Sequence, residues 1–200
     1  KMLDYSSKNI QQLIRERNWN DIEEFERLKS IYTFVRDEIL FGYNIDDTVC
    51  ASKVLADGYG QCNTKGTLFM ALLRACNIPC RVHGFTIDKE LQKGAMTGIV
   101  YKNAPRNVLH SWVEVYFEDT WYELEAFILD MQYLRKLQIK NSDCTGAFCG
   151  YGVAVKTSKI RLLILTEIIH IFRARESIKI LEFMIHQMIC YRSIIRKCLS

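Results

Sequence analysis

The sequence predicts an α+β fold in which N-terminal helices pack on an antiparallel β-sheet. Up to residue 76, apolar side chains recur three and four positions apart, which is the spacing of an amphipathic helix. Past Pro79, apolar and polar residues alternate instead, which is typical of strands. A helical first third followed by a sheet is an α+β arrangement. We therefore expect a helical part at residues 1–76 and a sheet part at residues 80–130.

Four helices are expected in the helical part, at residues 8–17, 21–41, 48–57 and 62–76. Asp21 followed by Glu24 predicts a capping box at the start of the second helix. Thr48 is the expected N-cap of the third helix, and Gly58 lies just past its end.

Three strands are expected in the sheet part, at residues 80–87, 108–117 and 120–127. The last two are separated by the two-residue loop Glu118-Asp119, which predicts a hairpin in which Phe117 pairs with Thr120. Residues 88–107 are expected to form a polar connection.

Length and composition favour one globular domain with an appendage. The chain has 200 residues, of which 49% are hydrophobic and 25% charged, so it can bury a sizeable core. A net charge of +4 is too small to indicate a nucleic-acid partner without a focused basic patch. No apolar run approaches the roughly 18–20 residues of a membrane span, so no transmembrane segment is expected.

Cysteine usage and the N-terminal residues favour a reducing compartment. Eight cysteines in a chain of this length are read as mostly reduced thiols rather than a disulfide framework. No stretch combines the basic start, apolar core and cleavage site of a signal peptide, so a cytoplasmic location is expected. The first residue is Lys1 rather than methionine, which leaves room for an upstream segment.

Cys62 stands directly after the glycine-rich turn "DGYGQ" and directly before an apolar helix. Backbone N–H groups at a helix start favour a thiolate over a thiol and can receive a developing oxyanion. Gly58 and Gly60 allow a tight turn and leave room for a substrate. Cys62 is therefore a candidate nucleophile, with a small buried thiol as the alternative.

His110 is the second candidate, in the strand "NVLHSWVEVYF". In this strand His110, Trp112, Glu114 and Tyr116 share one face. A histidine on the polar face of an amphipathic strand is either solvated or directed at a cleft.

The expected hairpin register supplies a carboxylate for this histidine. His110 lies opposite Phe127, and Glu125 is its diagonal neighbour on the same face, roughly 7–8 Å away at the backbone. A glutamate there can accept the imidazole N–H and stabilise the imidazolium. Glu123 is the alternative, but it faces Glu114, and a like-charged pair suits an exposed position better. We therefore favour Glu125.

Two stretches, "GYGQCNTKGTLFMALLRACNIPCRV" and "HSWVEVYFEDTWYELEA", resemble the transglutaminase-like superfamily. This papain-like group holds transglutaminases, peptide N-glycanases and microbial proteins regarded as cysteine proteases or hydrolases. The resemblance covers about residues 30–130, with matching positions at Cys62, Arg74, Ile78, Pro79, Arg81, His110, Trp112, Glu114 and Trp121. Asn77 replaces the usual glycine, and Glu125 replaces the usual aspartate.

The resemblance implies a microbial-type member with a papain-like transglutaminase core and a Cys-His-Glu(Asp) triad. It makes Cys62 the nucleophile, His110 the base and Glu125 the third member, with no metal and no cofactor. The expected activity is acyl transfer from a peptide or amide bond through a thioester, with a peptide or protein as substrate. Hydrolysis is the preferred outcome. An amine acyltransferase, or an inactive peptide-binding module on the same fold, are the alternatives.

Three residues that flank the expected site are candidates for substrate binding, namely Tyr59, Gln61 and Trp112. Gln61 could donate a hydrogen bond to an oxyanion, and Trp112 could wall the acyl groove. Packing at the rim of the cleft is an equally acceptable interpretation of all three.

Residues 156–200 differ from the rest of the chain, which we expect to form the catalytic domain at residues 1–155. They contain no glycine or proline and carry nine Lys/Arg against three Asp/Glu. We expect a basic helical tail that packs on its own domain, with binding to a partner or membrane as the alternative.

Two cysteine pairs loosely follow a zinc pattern, namely Cys76 with Cys80 and Cys144 with Cys149. Cys76 ends an apolar helix, so a core thiol is the favoured interpretation there. A local disulfide is a further alternative for Cys144 and Cys149.

Overall fold

The computed structural model describes residues 2–144 and 148–155, which fall into two compact units. The first unit holds the residues up to Gly84 together with His110–Leu134. The second unit holds Phe85–Leu109 together with the described residues from Arg135 onward. The basic tail expected at residues 156–200 lies outside the described residues.

Helices and strands follow the expected α+β order. The helices are α1 (Lys8–Glu16), α2 (Glu24–Asp37), α3 (Ala51–Asp57), α4 (Cys62–Ala75), α5 (Gly98–Asn103) and α6 (Met131–Lys140). The strands are β1 (Leu40–Phe41), β2 (Tyr59–Gly60), β3 (Cys80–Asp88), β4 (Asn107–Phe117), β5 (Thr120–Leu124), β6 (Phe148–Gly150) and β7 (Val153–Val155). None of the helices in the described part of the chain combines the length and the apolar character needed to cross a bilayer.

Helix α4 forms the centre of the first unit. Its ten consecutive residues Thr64–Leu73 are all buried, so the helix is surrounded on every side. Helices α2 and α3 both pack against it. The Phe69 ring of α4 meets the ring of Phe127 at 4.8 Å between centroids. This contact packs the segment that follows β5 against the helix that begins with Cys62.

The start of α2 differs from the capping box expected at Asp21. Asp21 ends a short 3-10 turn, and Ile22 is extended, with φ −110° and ψ 158°. The helix therefore begins only at Glu24. Glu23 is its N-cap, and the Glu23 carboxylate accepts from the backbone N–H of Glu26 at 3.4 Å.

The end of α2 also comes earlier than expected, at Asp37. Leu40 and Phe41 leave the helix because they pair in parallel with Tyr59 and Gly60. The apolar periodicity alone predicts a helix that reaches residue 41. It cannot show the pairing with Tyr59 and Gly60, because these residues lie about 19 positions further along the chain.

The third helix begins later than expected, at Ala51, with Cys50 as its N-cap residue. Thr48 is not the cap, because its hydroxyl donates instead to the carboxylate of Asp46 at 2.5 Å. Gly58 does end this helix as expected, in the left-handed region at φ 71°.

The three-stranded sheet has the order β3-β4-β5, and its β4–β5 hairpin has the expected register. Phe117 pairs with Thr120 and Val113 with Leu124. Glu118 and Asp119 have φ values of 45° and 60°, which suits a two-residue hairpin loop whose central residues both take positive φ. β5 stops at Leu124, so the strand expected to reach residue 127 is three residues shorter.

The second unit has a small apolar core of its own. Ile87 and Leu91 are buried there, and Phe85 and Val108 pack against them. The connection at residues 88–107 is not wholly irregular, because it contains a 3-10 turn and the short helix α5. Lys89 Nζ donates to the carbonyl of Ala104 at 2.9 Å and so holds the end of that helix.

Gly60 precedes the helix of Cys62 in a space that excludes a side chain. A Cβ there would lie 2.7 Å from Thr64 Oγ1 and 3.2 Å from the backbone nitrogen of Lys65. We therefore expect Gly60→Ala to lower the free energy of unfolding by about 1–3 kcal/mol. Gly84→Ala is the matched control, because nothing lies within 4 Å of a Cβ at that position. Urea unfolding followed by circular dichroism measures both, and equal losses in the two variants would contradict the expectation.

Candidate active site

Cys62 is the first residue of α4, at the end of the helix where backbone N–H groups have no intrahelical partner. The preceding residue, Gln61, is extended and forms a capping box with Thr64. In this box the Gln61 N–H donates to Thr64 Oγ1 at 3.0 Å. The thiol of Cys62 is half-buried. The local sequence therefore fixes where the helix starts and leaves Cys62 partly accessible.

His110 and Glu125 are bound to each other inside the first unit. His110 Nε2 and Glu125 Oε1 are 2.6 Å apart, and the two residues are only 6% and 8% exposed. Glu125 follows the last residue of β5, so it reaches His110 from just beyond the paired part of the hairpin. The glutamate that contacts His110 is thus Glu125 and not Glu123.

Cys62 is the second hydrogen-bond partner of His110. Burial by itself lowers the pKa of His110, but the hydrogen bonds and negative charges of Cys62 and Glu125 outweigh it and raise the pKa to about 10. The site therefore favours an imidazolium between a sulfur and a carboxylate. Cys62, His110 and Glu125 come from a helix, a strand and the segment after a strand.

Glu114 does not occupy the exposed position that its pairing with Glu123 suggested. The two residues do face each other in the register, but Glu114 is only 6% exposed. Its carboxylate binds the guanidinium of Arg81 and lies 3.3 Å from Nδ1 of His83. Burial raises the pKa of Glu114, and the hydrogen bond and charge of Arg81 reverse this and lower it. Arg81 and His83, which contact the negatively charged Glu114 carboxylate, belong to the neighbouring strand β3. The register of β4 and β5 alone could not predict these contacts.

The three candidate substrate-binding residues differ in accessibility. Trp112 is buried, and its ring stacks on that of His83 at 4.4 Å between centroids. Gln61 is buried as well, and its amide donates to Asp47 Oδ1 at 2.9 Å. Tyr59 is 40% exposed at the surface of the first unit. Of the three, only Tyr59 has substantial area available to a substrate.

Tyr43 is a neighbour of Cys62 that the sequence did not single out. Burial raises the pKa of its hydroxyl, and the charge of Cys62 raises it further. The Tyr43 ring lies 5.7 Å from that of Phe41, which in turn lies 4.9 Å from Tyr133. In the sequence, the stretch "FGY" indicates only two aromatic residues close together. It does not indicate that Tyr43 lies near Cys62, because that proximity depends on the pairing of β1 with β2.

The described cysteines other than Cys62 include two core thiols. Cys76 is fully buried, and burial raises its pKa to about 11. Burial likewise raises the pKa of Cys80. Among residues 2–144 and 148–155, no group of three or more His, Cys, Asp or Glu side chains is arranged to hold a metal ion.

A cysteine at a helix start thus lies beside a strand-borne histidine, and the histidine contacts a carboxylate. The family model of the transglutaminase-like superfamily matches residues 11–126, which include all three residues. The chain belongs to the transglutaminase-like superfamily.

Individual relatives match parts of the chain. YebA of Bacillus subtilis (strain 168), described as uncharacterized, is 29% identical over 111 residues. The match covers 50% of this chain but only 15% of YebA, so the chain spans a small part of the curated relative's length.

Two crystal structures match parts of the chain. A candidate cysteine protease from Cytophaga hutchinsonii gives a TM-score of 0.47 at 18% identity, covering 66% of this chain and 41% of that one. A candidate protease from Parabacteroides distasonis gives a TM-score of 0.40 at 14% identity, covering 78% of this chain and 29% of that one.

Proposed function

We propose that the chain is a cysteine-nucleophile enzyme that cleaves peptide or amide bonds by acyl transfer through a thioester. The observation that carries the proposal is the continuous contact from Cys62 through His110 to Glu125. Membership of the transglutaminase-like superfamily supports the same class of chemistry.

The first half of the reaction forms the thioester. The Cys62 sulfur, with its proton on His110, attacks the carbonyl carbon and forms a C–S bond. The carbonyl oxygen takes the negative charge, and the carbon–nitrogen bond then breaks. His110 donates its proton to the leaving amine, so the amine departs neutral. Glu125 accepts from Nε2 of His110 throughout and holds the ring in one orientation.

Stabilisation of the oxyanion falls to the start of α4. The backbone N–H of Cys62 is at a helix N-terminus, where the helix dipole carries about half a positive charge. N–H donors directed at a developing oxyanion typically contribute about 10²–10³-fold in rate each.

The second half of the reaction resolves the thioester. Water gives up a proton to His110 and adds to the carbonyl, and the C–S bond breaks to release an acid and the Cys62 sulfur. A primary amine in place of water would release a new amide instead. We favour hydrolysis, because water needs no second binding site.

The pairing of Cys62 with His110 is tested by alkylation. We expect iodoacetamide at about pH 6–7 to modify Cys62 at least about tenfold faster than Cys76 or Cys80, which burial keeps protonated. His110→Ala should remove most of that advantage. Mass-spectrometric mapping of each cysteine gives the rates. Equal rates in the parent and in His110→Ala would contradict the proposed pair.

The reaction itself is tested with casein and a fluorescent primary amine. Release of new carboxyl termini without incorporation of the amine supports hydrolysis, and incorporation supports the acyltransferase. Both should disappear in Cys62→Ala. Turnover that survives this substitution would rule out Cys62 as the nucleophile. Casein that stays bound to the parent without reaction would favour a binding module.

A further inference from the structure

Asp47 holds both neighbours of Cys62. Its Oδ1 accepts from Gln61 Nε2 at 2.9 Å, and its Oδ2 accepts from Asn63 Nδ2 at 2.8 Å. The two amides belong to the residues immediately before and after the cysteine. A single half-buried carboxylate therefore fixes the backbone on either side of the thiol.

Asn63 carries this network across to the strand of His110. Its Oδ1 accepts from the hydroxyl of Ser111 at 2.7 Å. Ser111 follows His110 directly and is only 6% exposed. The Asn63 amide thus has its NH₂ on the Asp47 carboxylate and its oxygen on a hydroxyl, which defines its orientation.

We propose that Asp47, Asn63 and Ser111 are positioning residues that set the approach of Cys62 to His110. The inference rests on the proposed function. The two elements that carry the thiol and the imidazole are joined by one side-chain bridge, which is one residue away from each reacting group. A displacement of about 1 Å between reacting atoms can lower the rate by about 10²-fold. Loss of this bridge is therefore expected to slow the reaction by changing the distance between Cys62 and His110.

The role of Asp47 requires a carboxylate. Both of its oxygens accept from amide NH₂ groups, and only a carboxylate offers two acceptors in that geometry. Asp47→Asn keeps the size but places an NH₂ group against one of the two amides. One contact is then lost and a donor faces a donor.

The experiment measures the rate of Cys62 alkylation by iodoacetamide from about pH 5 to 9 in the full chain. In Ser111→Ala, Asn63→Ala and Asp47→Asn we expect a fall of about 10- to 100-fold near neutral pH. The pH profile of each variant should move towards that of His110→Ala. Ser111→Thr, which keeps the hydroxyl, should retain the parent profile.

Two comparisons separate positioning from a general loss of stability. Ser52→Ala removes a hydroxyl that donates to Asp4 at 2.5 Å, away from the site, and should lower the melting temperature without changing Cys62 reactivity. The double variant Ser111→Ala/Asn63→Ala should react no more slowly than the slower single variant, because both changes break the same bond.

Each outcome decides the inference. Variants that are folded by circular dichroism and keep the parent profile would overturn the positioning role while leaving the proposed function intact. Additive losses in the double variant would also overturn it. If the parent itself shows no His110-dependent reactivity at Cys62, the proposed function fails and the inference fails with it. If Asn63→Ala does not fold, Ser111→Ala with its Ser111→Thr partner decides the question.

Discussion

Glu125→Gln is expected to lower turnover by up to about 10⁴-fold, which is the loss seen when the carboxylate behind the histidine of a serine-protease triad is replaced by an amide. The amide has nearly the same size as the carboxylate but carries no charge to stabilise the imidazolium. It can also present its NH₂ group to Nε2 of His110, which sits 2.6 Å from the carboxylate oxygen. The loss should appear in kcat rather than in KM, because Glu125 contacts His110 and not the substrate.

The same substitution should lower the pKa of His110 from about 10. The hydrogen bond and charge of Glu125 are two of the causes that raise this pKa, and both are weakened by the amide. NMR titration of the imidazole in a Cys62→Ala background isolates the effect of Glu125 from that of the thiol. If Glu125→Gln changes neither the titration of His110 nor the turnover, Glu125 has no catalytic role.

Glu125→Asp is the matched comparison. It keeps the charge but shortens the side chain by one methylene, so the contact with Nε2 should lengthen unless the chain beyond Leu124 moves. We expect turnover between that of the parent and that of Glu125→Gln. Turnover at or above the parent level would mean that the segment after β5 accepts either carboxylate.

Lys65→Met is expected to lower the free energy of unfolding by about 2–4 kcal/mol. Lys65 is fully buried in α4, and its ammonium donates to the carbonyls of Arg36 at 3.2 Å, Ile39 at 2.6 Å and Ile128 at 3.0 Å. Methionine fills a similar volume but leaves three carbonyls without that donor. Lys53→Met, at an exposed lysine of α3, is the control and should leave unfolding nearly unchanged.

The cost of Lys65→Met should grow as the pH rises. Burial is the main cause that lowers the pKa of Lys65, from 10.5 to about 7. Between these values the unfolded chain holds the proton more tightly than the folded chain, so a rise in pH stabilises the folded state. Only the parent has this contribution. The difference between parent and variant in urea unfolding should therefore be larger at about pH 9 than at about pH 6.

The contribution of His110 has the opposite sign but cancels in this comparison. Its pKa is raised from 6.5 to about 10, so its stabilising effect is present at low pH and is lost as the pH rises through about 10. Parent and Lys65→Met both carry His110. A difference between the two proteins that is constant from about pH 6 to 9 would contradict the expected ionisation of Lys65.

Some predictions that depended on short-range chemistry agree with the structure, whereas the helix caps expected at Asp21 and Thr48 do not. The two-residue loop Glu118-Asp119 fixed the register of β4 and β5, because few backbone conformations close so short a loop. The helix after the glycine turn begins at Cys62, where capping by Gln61 and Thr64 is local. The same register argument led to Glu125 as the neighbour of His110.

Other predictions were wrong because they needed a partner that is distant in the sequence. The sequence indicates that Glu114 is exposed, whereas in the structure its charge is neutralised by Arg81 from another strand. Leu40 continues the helical pattern of α2 until its pairing with Tyr59 is known. The residues near Lys65 in the sequence do not indicate that its side chain is buried. Two of its carbonyl partners lie at or just past the end of α2, and the third lies after β5.

The sequence distances across the first unit have a consequence for biosynthesis. Cys62 is synthesised early, but Ser111 lies 48 residues beyond Asn63, and Ile128 lies 63 residues beyond Lys65. A chain growing from its N-terminus therefore completes the helix of Cys62 long before His110, Glu125 and Ile128 have been synthesised. At that stage the Cys62 thiol is present without His110 and Glu125. Under the proposed function, we therefore expect a chain that ends before the β4–β5 hairpin to have no cleavage activity.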